Sequence, residues 1–243
     1  MEYLLQNEHS QKEEIEITIL KDVIENSLEY KIGAFSYRET SMEDICCNDN
    51  KNGIPVGSIE FVEKWLKHFY NKTMHPIEVP EVLRTPEFLK RDYNICTPSS
   101  FPSSGRFFIK NADKLKDWTY CGEIQNIIAQ THPNTNYVVS EEVSILSEWR
   151  VYVINDNIEN IANYDGDITI FPDIELIKKA VVVYSNSGYR PKSYTIDIMV
   201  IPKGTAIIEI HPFTSIGLYS SLWGTSLARA YRDGIEYYIN RVD

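Results

Sequence analysis

Three residues near the C-terminal end carry the strongest chemical signal. In Ser193–His211, the triplet Pro202-Lys203-Gly204 fits a three-residue hairpin loop, with Pro at the first turn position and Gly supplying the left-handed residue. With that loop Ile201 faces Thr205, and Asp197 falls directly opposite Glu209. His211 lies two residues on and shares the face of Glu209. The neighbours Ile196, Ile198, Ile208 and Ile210 are expected to turn into a core. Carboxylates opposed across a strand pair repel, with Cβ atoms roughly 4.5–5.5 Å apart. A positive species between them relieves that repulsion, and a divalent cation with oxygen ligands, such as Mg²⁺ carrying phosphates, is the simplest candidate. The alternative is a solvated sheet face on which both acids are merely polar.

Cations recur on two other expected strands. Arg106, Phe108 and Lys110 share one face of a short strand, and Lys116 follows in a loop. On the strand 148–154, Trp149, Val151 and Val153 face one way while Glu148, Arg150 and Tyr152 face the other. Lysine offers a phosphate a point charge and arginine a bidentate fork. Singly, each fits a surface charge with a buried stem. Together with the opposed acids, they favour a metal–nucleotide site. No P-loop, GxGxxG, GxSxG or HExxH motif occurs.

The elements that must position these residues are mixed. Residues 15–20 alternate and are expected to form a strand. Ser58 caps a helix whose Val62, Trp65, Leu66 and Phe69 form one apolar face. Five prolines punctuate 71–104, which is expected to be a linker or subdomain boundary. Strands follow at 107–110, 137–143, 148–154 and 158–164, with a short helix at 123–130. A helix begins near 173, and a long amphipathic helix covers 218–240. Hairpins with flanking helices read as α+β with antiparallel sheets.

With 243 residues and 43% hydrophobic side chains, the chain has material for a core, so disorder is excluded. Its net charge of −11 disfavours a nucleic-acid surface, which needs excess Lys and Arg. There is no secretory leader and no run of 18 apolar residues, so a cytoplasmic protein is expected, without membrane partners. Four cysteines do not make a disulfide scaffold.

In order and spacing, the stretches GSIEFVEKWL, FFIKNADKLKDW, SEEVSILSEWRVYVI, SYTIDIMVI and IIEIHPFTSIGLY resemble small phage- and bacteria-associated ATP-grasp proteins, a clade named for one arginine and two lysines. The resemblance spans about 55 to 240. It implies an ATP-grasp fold with a reduced lid, a pre-ATP-grasp region over 1–75 and the ATP-grasp domain over 76–243. It further implies that Lys110 and Lys116 contact ATP phosphates, and that Glu141, Glu142 and Val143 form the adenine hinge. Glu148 and Arg150 would form the Glu-x-Arg strand, with Arg150 facing the γ-phosphate or the acyl-phosphate intermediate. Asp197, Glu209 and His211 would hold Mg²⁺. His211 stands where the family usually has Asn, and an imidazole there suits Mn²⁺ or Zn²⁺ better than Mg²⁺. Substrate contacts are expected around Gly57–Glu60 and Phe213–Tyr219. The implied activity is ATP-dependent joining of a small-molecule or peptide carboxylate to an amine, with Lys110 and Arg150 catalytic and a homodimer allowed. The rival readings are a catalytically weak nucleotide-binding module, acting as a sensor or in phage–host interaction, and an enzyme modifying nucleic acid. If the chain is phage-encoded, its compartment would be the host cytoplasm.

Overall fold

The computed structural model describes residues 1–8, 11–188, 190–219 and 224–241. The chain opens with β1 (Glu2–Gln6), α1 (Gln11–Glu25), the short α2 (Leu28–Lys31), β2 (Ser36–Thr40), β3 (Ile54–Val56) and α3 (Ile59–Tyr70). Strands β2-β1-β3 form a parallel sheet. Its middle strand carries Tyr3-Leu4-Leu5, fully buried on both faces, as parallel strands are. The strand expected at 15–20 is instead the middle of α1. Ile17, Leu20 and Ile24 are buried at helical spacing, so the longer period overrides the local alternation. The helix at Ser58 forms as expected: the Ser58 hydroxyl accepts from Phe61 N at 3.2 Å, and Phe61, Val62, Trp65 and Leu66 are buried.

Next come α4 (Pro86–Leu89), β4 (Tyr93–Cys96), β5 (Arg106–Asn111), β6 (Thr119–Glu123) and β7 (Tyr137–Glu141). They build an antiparallel sheet of order β4-β7-β5-β6. Segment 71–104 is therefore not a plain linker, because β4 lies within it. The helix expected at 123–130 is two single 3₁₀ turns, Ile124–Asn126 and Ile128–Gln130.

The last part holds β8 (Ser147–Ile154), β9 (Asn157–Gly166), α5 (Ile174–Ser185), β10 (Ser193–Ile201), β11 (Gly204–Pro212) and α6 (Thr225–Asn240). Its antiparallel sheet has order β11-β10-β8-β9. The β8–β9 turn is the pair Asn155-Asp156, both left-handed, which suits a two-residue hairpin. One face buries Trp149, Val151, Val153, Ile196, Ile198 and Ile207 against α5. From the other, Tyr152 joins the core of the parallel sheet, α3 and α6. The amphipathic helix starts at Thr225 rather than Leu218, and 220–223 lie outside the described residues.

Gly234 of α6 lets that helix lie directly on the chain after β11. A Cβ there would stand 2.3 Å from the Phe213 carbonyl oxygen and 2.5 Å from Thr214 Oγ1. Gly234→Ala should therefore cost about 1–3 kcal/mol through overpacking, visible as a lower denaturant midpoint.

Candidate active site

A cavity of about 500 Å³ is lined by residues of the two four-stranded sheets together with Ile59 of α3 and Tyr238 of α6. Asp197 and Glu209 are directly opposed, but by another route than the spacing suggested. The β10–β11 loop is the two-residue Pro202-Lys203, pairing Ile201 with Gly204. That register alone would put the acids on opposite faces. A bulge realigns them by inserting Ile208 between the Ile198–Ile207 and Asp197–Glu209 pairs. Ile208 consequently packs with Val143, Met199, Ile201 and Ala206 and lines the cavity, instead of entering the core with Ile196 and Ile198.

The positive charge beside these acids comes from the protein itself. On β8, Arg150 sits in register with Asp197, and its Nε and Nη2 donate to Asp197 Oδ1 and Oδ2, each at 2.7 Å. Its Nη1 donates to the carbonyls of Ile216 and Gly217, the latter at 3.3 Å. The Arg150 Cζ lies 5.6 Å from the ring centre of Tyr164 and 5.0 Å from that of Tyr219, and these rings stack on each other. Burial works against the Arg150 charge, but Asp197 outweighs it and raises the pKa.

Lys110 reaches across from β5. Its ammonium contacts Glu209 and lies 2.7 Å from Glu78 Oε2. Burial opposes this charge too, and Glu209 and Glu78 more than offset it. His211 Nε2 is 2.7 Å from Glu209 Oε1. Despite burial, His211 and Lys110 hold the Glu209 carboxyl well below the usual carboxylate range, and Glu209 in turn raises His211. Burial raises the pKa of Glu148, against a 2.6 Å hydrogen bond from the Tyr164 hydroxyl.

Lys116, Glu141, Glu142 and Val143 also line the cavity. Lys116 is exposed, with a left-handed backbone. Glu142 accepts from Arg106 at 2.8 Å, and Glu141 from Lys203 at 3.3 Å. Asp197, Glu209 and His211 each offer a ligand atom within 4.8 Å of the others. These three could hold a divalent ion: each carboxylate oxygen keeps a lone pair beyond its present bond, and the His211 imidazole would ligate only in its neutral form, giving up its proton toward Glu209.

The sequence reading missed Glu78, Tyr164 and Arg91. Arg91 lines the cavity and donates to Ser140 Oγ and to the Leu89 and Ile207 carbonyls, and burial lowers its pKa to about 10. The one signal for Glu78 is its place in Pro-Ile-Glu-Val-Pro, an acid alternating with apolar residues.

A family model for the ATP-grasp domain, the second family of the clade named for one arginine and two lysines, matches residues 88–223. The chain belongs to this family. Lys110, Arg150, Asp197, Glu209 and His211 all fall inside the ATP-grasp match, whereas Glu78 precedes it. Solved structures share the fold at low identity. D-alanine–D-alanine ligase from Bacillus anthracis aligns at 10% identity over 98% of this chain and 97% of its own, with TM-score 0.56. The same enzyme complexed with ATP aligns at 12% identity over 98% and 94%, with TM-score 0.53. D-cycloserine synthetase DcsG aligns at 8% identity over 97% and 99%, with TM-score 0.58. No curated protein matches the chain in sequence. No helix among the described residues is long and apolar enough to cross a membrane.

Proposed function

We propose that the chain is an ATP-dependent ligase joining a carboxylate to an amine. The observation that carries this reading is the meeting of Lys110, Arg150, Glu209 and His211, from two sheets, in one cavity, with Asp197 buried behind Arg150. A substrate carboxylate oxygen would attack the γ-phosphorus and ADP would leave, giving an acyl phosphate. The amine nitrogen would then attack the acyl carbon, releasing phosphate and a proton. Most of the work is electrostatic: Lys110, with Lys116 nearer the mouth, would bind phosphate oxygens, and Arg150 would meet the transferring group. Asp197, Glu209 and His211 would hold Mg²⁺, which supplies charge neutralisation at the phosphates. Glu141, Glu142 and Val143 would bound the adenine, with Glu148 at the strand entrance. Residues 1–75 would form a pre-ATP-grasp region before the ATP-grasp domain of 76–243.

Strand β11 orders the cavity. Toward its turn lie Ala206 and Ile208, then Glu209 and His211, then the chain leading to Ile216. Ile216 shares an apolar cluster with Ile59, Met74, Leu115 and Tyr238, and all five line the cavity. With adenine against Val143, Met199 and Ile208, that second apolar set is left for the acceptor. An acid or amine with an aliphatic or aromatic side chain fits it, because a charged one would be desolvated there.

The test is ADP release with ATP, Mg²⁺ and pools of amino acids and peptides, with products read by mass spectrometry. Turnover should appear, with apolar acceptors favoured by at least tenfold in kcat/KM, the scale of one or two methylenes. The second reading, a nucleotide-binding module with little turnover, has its own observation. Arg150 spends four of its five N–H groups on Asp197 and on the Ile216 and Gly217 carbonyls, so a bidentate grip on a phosphate would require it to release a partner. Nucleotide binding without ADP release in any pool would favour it.

A further inference from the structure

Glu78 lies before the family match, on the Pro-punctuated segment, yet its side chain enters the centre of the site. Its carboxylate is 4% exposed and makes a 2.7 Å ion pair with Lys110. Its backbone is left-handed at φ 59°, a conformation uncommon for a non-glycine residue and costly unless the surroundings impose it. What imposes it is on either side. The Glu78 carbonyl accepts from Ile210 N at 2.9 Å, one residue from Glu209, in an isolated bridge to the edge of β11. The next residue, Val79, is fully buried, and its carbonyl accepts from Arg84 Nε at 2.7 Å. Glu78 is thus fastened to the β11 edge, whereas Lys110 comes from the other sheet. One ammonium bridges two carboxylates that share a strand edge.

We propose that Glu78 is the positioning residue for Lys110: it keeps the ammonium in the cavity when Glu209 turns to a metal–nucleotide ligand. The inference rests on the nucleotide reading given above. Lys110 contacts both acids, so Glu209 can exchange its share of the ammonium for a divalent ion without leaving a buried lysine unpaired. Without Glu78 the lysine would have Glu209 alone. The ion and the lysine would then compete for one carboxylate. Glu78 does not join the Asp197–Glu209–His211 cluster, so its contribution runs through Lys110.

The sign of one substitution separates this role from bulk electrostatics. Glu78→Gln removes a negative charge beside the phosphates, which by Coulomb attraction alone should tighten a polyanion. Positioning demands the reverse. The measurement is calorimetric titration of the full chain with the ATP analogue AMP-PNP and Mg²⁺, for wild type, E78Q, E78D, K110M and E78Q/K110M, with melting temperatures recorded alongside. E78Q should bind on the order of tenfold more weakly, the scale of losing one of the two carboxylates that hold the ammonium. E78D, which keeps the charge on a shorter stem, should recover part of that loss. Because Glu78 acts through Lys110, E78Q should cost nothing further in the K110M background. Unchanged or tighter binding by E78Q would overturn the proposal. So would an equal loss with and without Lys110, the mark of a merely structural residue. Should E78Q fail to fold, E78D and its double with K110M decide the same question. If wild type itself fails to bind the analogue, the nucleotide reading falls first and takes this inference with it; binding by wild type with additive losses removes the inference alone.

Discussion

Arg150→Met is expected to lower the unfolding free energy by about 3–5 kcal/mol, the usual cost of breaking a buried ion pair from one side. For a chain of this length that corresponds to a fall in Tm of ~6–20 °C. The size follows from what the guanidinium satisfies. Asp197 is 3% exposed and takes both oxygens' bonds from Arg150, so methionine would leave an ionised group buried without a cation. The carbonyls of Ile216 and Gly217 lose their donor in the same step, and the Tyr164–Tyr219 stack loses the cation against it. These contacts hold the chain after β11 over the site, so the loop should loosen as well as the sheet. A second substitution checks the cause. Arg150→Met with Asp197→Asn removes the stranded charge and should regain most of the lost stability, since neutral replacements of buried pairs are often close to neutral in cost. Nucleotide turnover should not return. A double variant as unstable as the single would show that packing of the arginine stem, not the orphaned carboxylate, sets the loss.

The same residues show how much of the site was legible in the sequence. Arg150 and Asp197 could be placed because strand alternation has a period of two, so a face is fixed once the strand is recognised. Their direct pairing could not be read, because strand order is a tertiary fact: β8 lies beside β10, with 38 residues separating the end of one at Ile154 from the start of the other at Ser193. The Asp197–Glu209 pair came out right although the loop is one residue shorter than expected. Ile208 compensates as a bulge, and nothing local distinguishes an isoleucine in a bulge from one in register. Glu78 escaped because it belongs to no periodic element. Its position depends on an isolated bridge to Ile210, a contact 132 residues away in sequence that leaves no repeating pattern. The misplaced strand at 15–20 has the opposite origin: six alternating residues were too short a window to compete with the period running through Ile17, Leu20 and Ile24.

Glu209→Gln should show the largest loss of activity for the least loss of fold. If Glu209 holds the divalent ion, replacing its carboxylate removes a charged ligand where phosphoryl charge develops, and kcat for ADP release should drop on the order of 10²–10³-fold, the scale of one lost electrostatic stabiliser. Stability is expected to behave quite differently from Arg150→Met. Lys110 keeps Glu78 at 2.7 Å, so no buried cation is stranded, and glutamine preserves the shape and one acceptor oxygen for His211. The fall in Tm should therefore be small beside that of Arg150→Met. Loss of the carboxylate also removes the main group that raises His211, leaving only Asp197 to oppose its burial, so its imidazole should titrate lower than in wild type. The decisive measurement is the Mg²⁺ dependence of AMP-PNP affinity. Wild type should bind the analogue more tightly as Mg²⁺ rises, and Glu209→Gln should lose most of that response while keeping its metal-independent binding through Lys110 and Arg150. A full Mg²⁺ response in the variant would remove Glu209 from the metal site and leave it the simpler task of sharing Lys110 with Glu78.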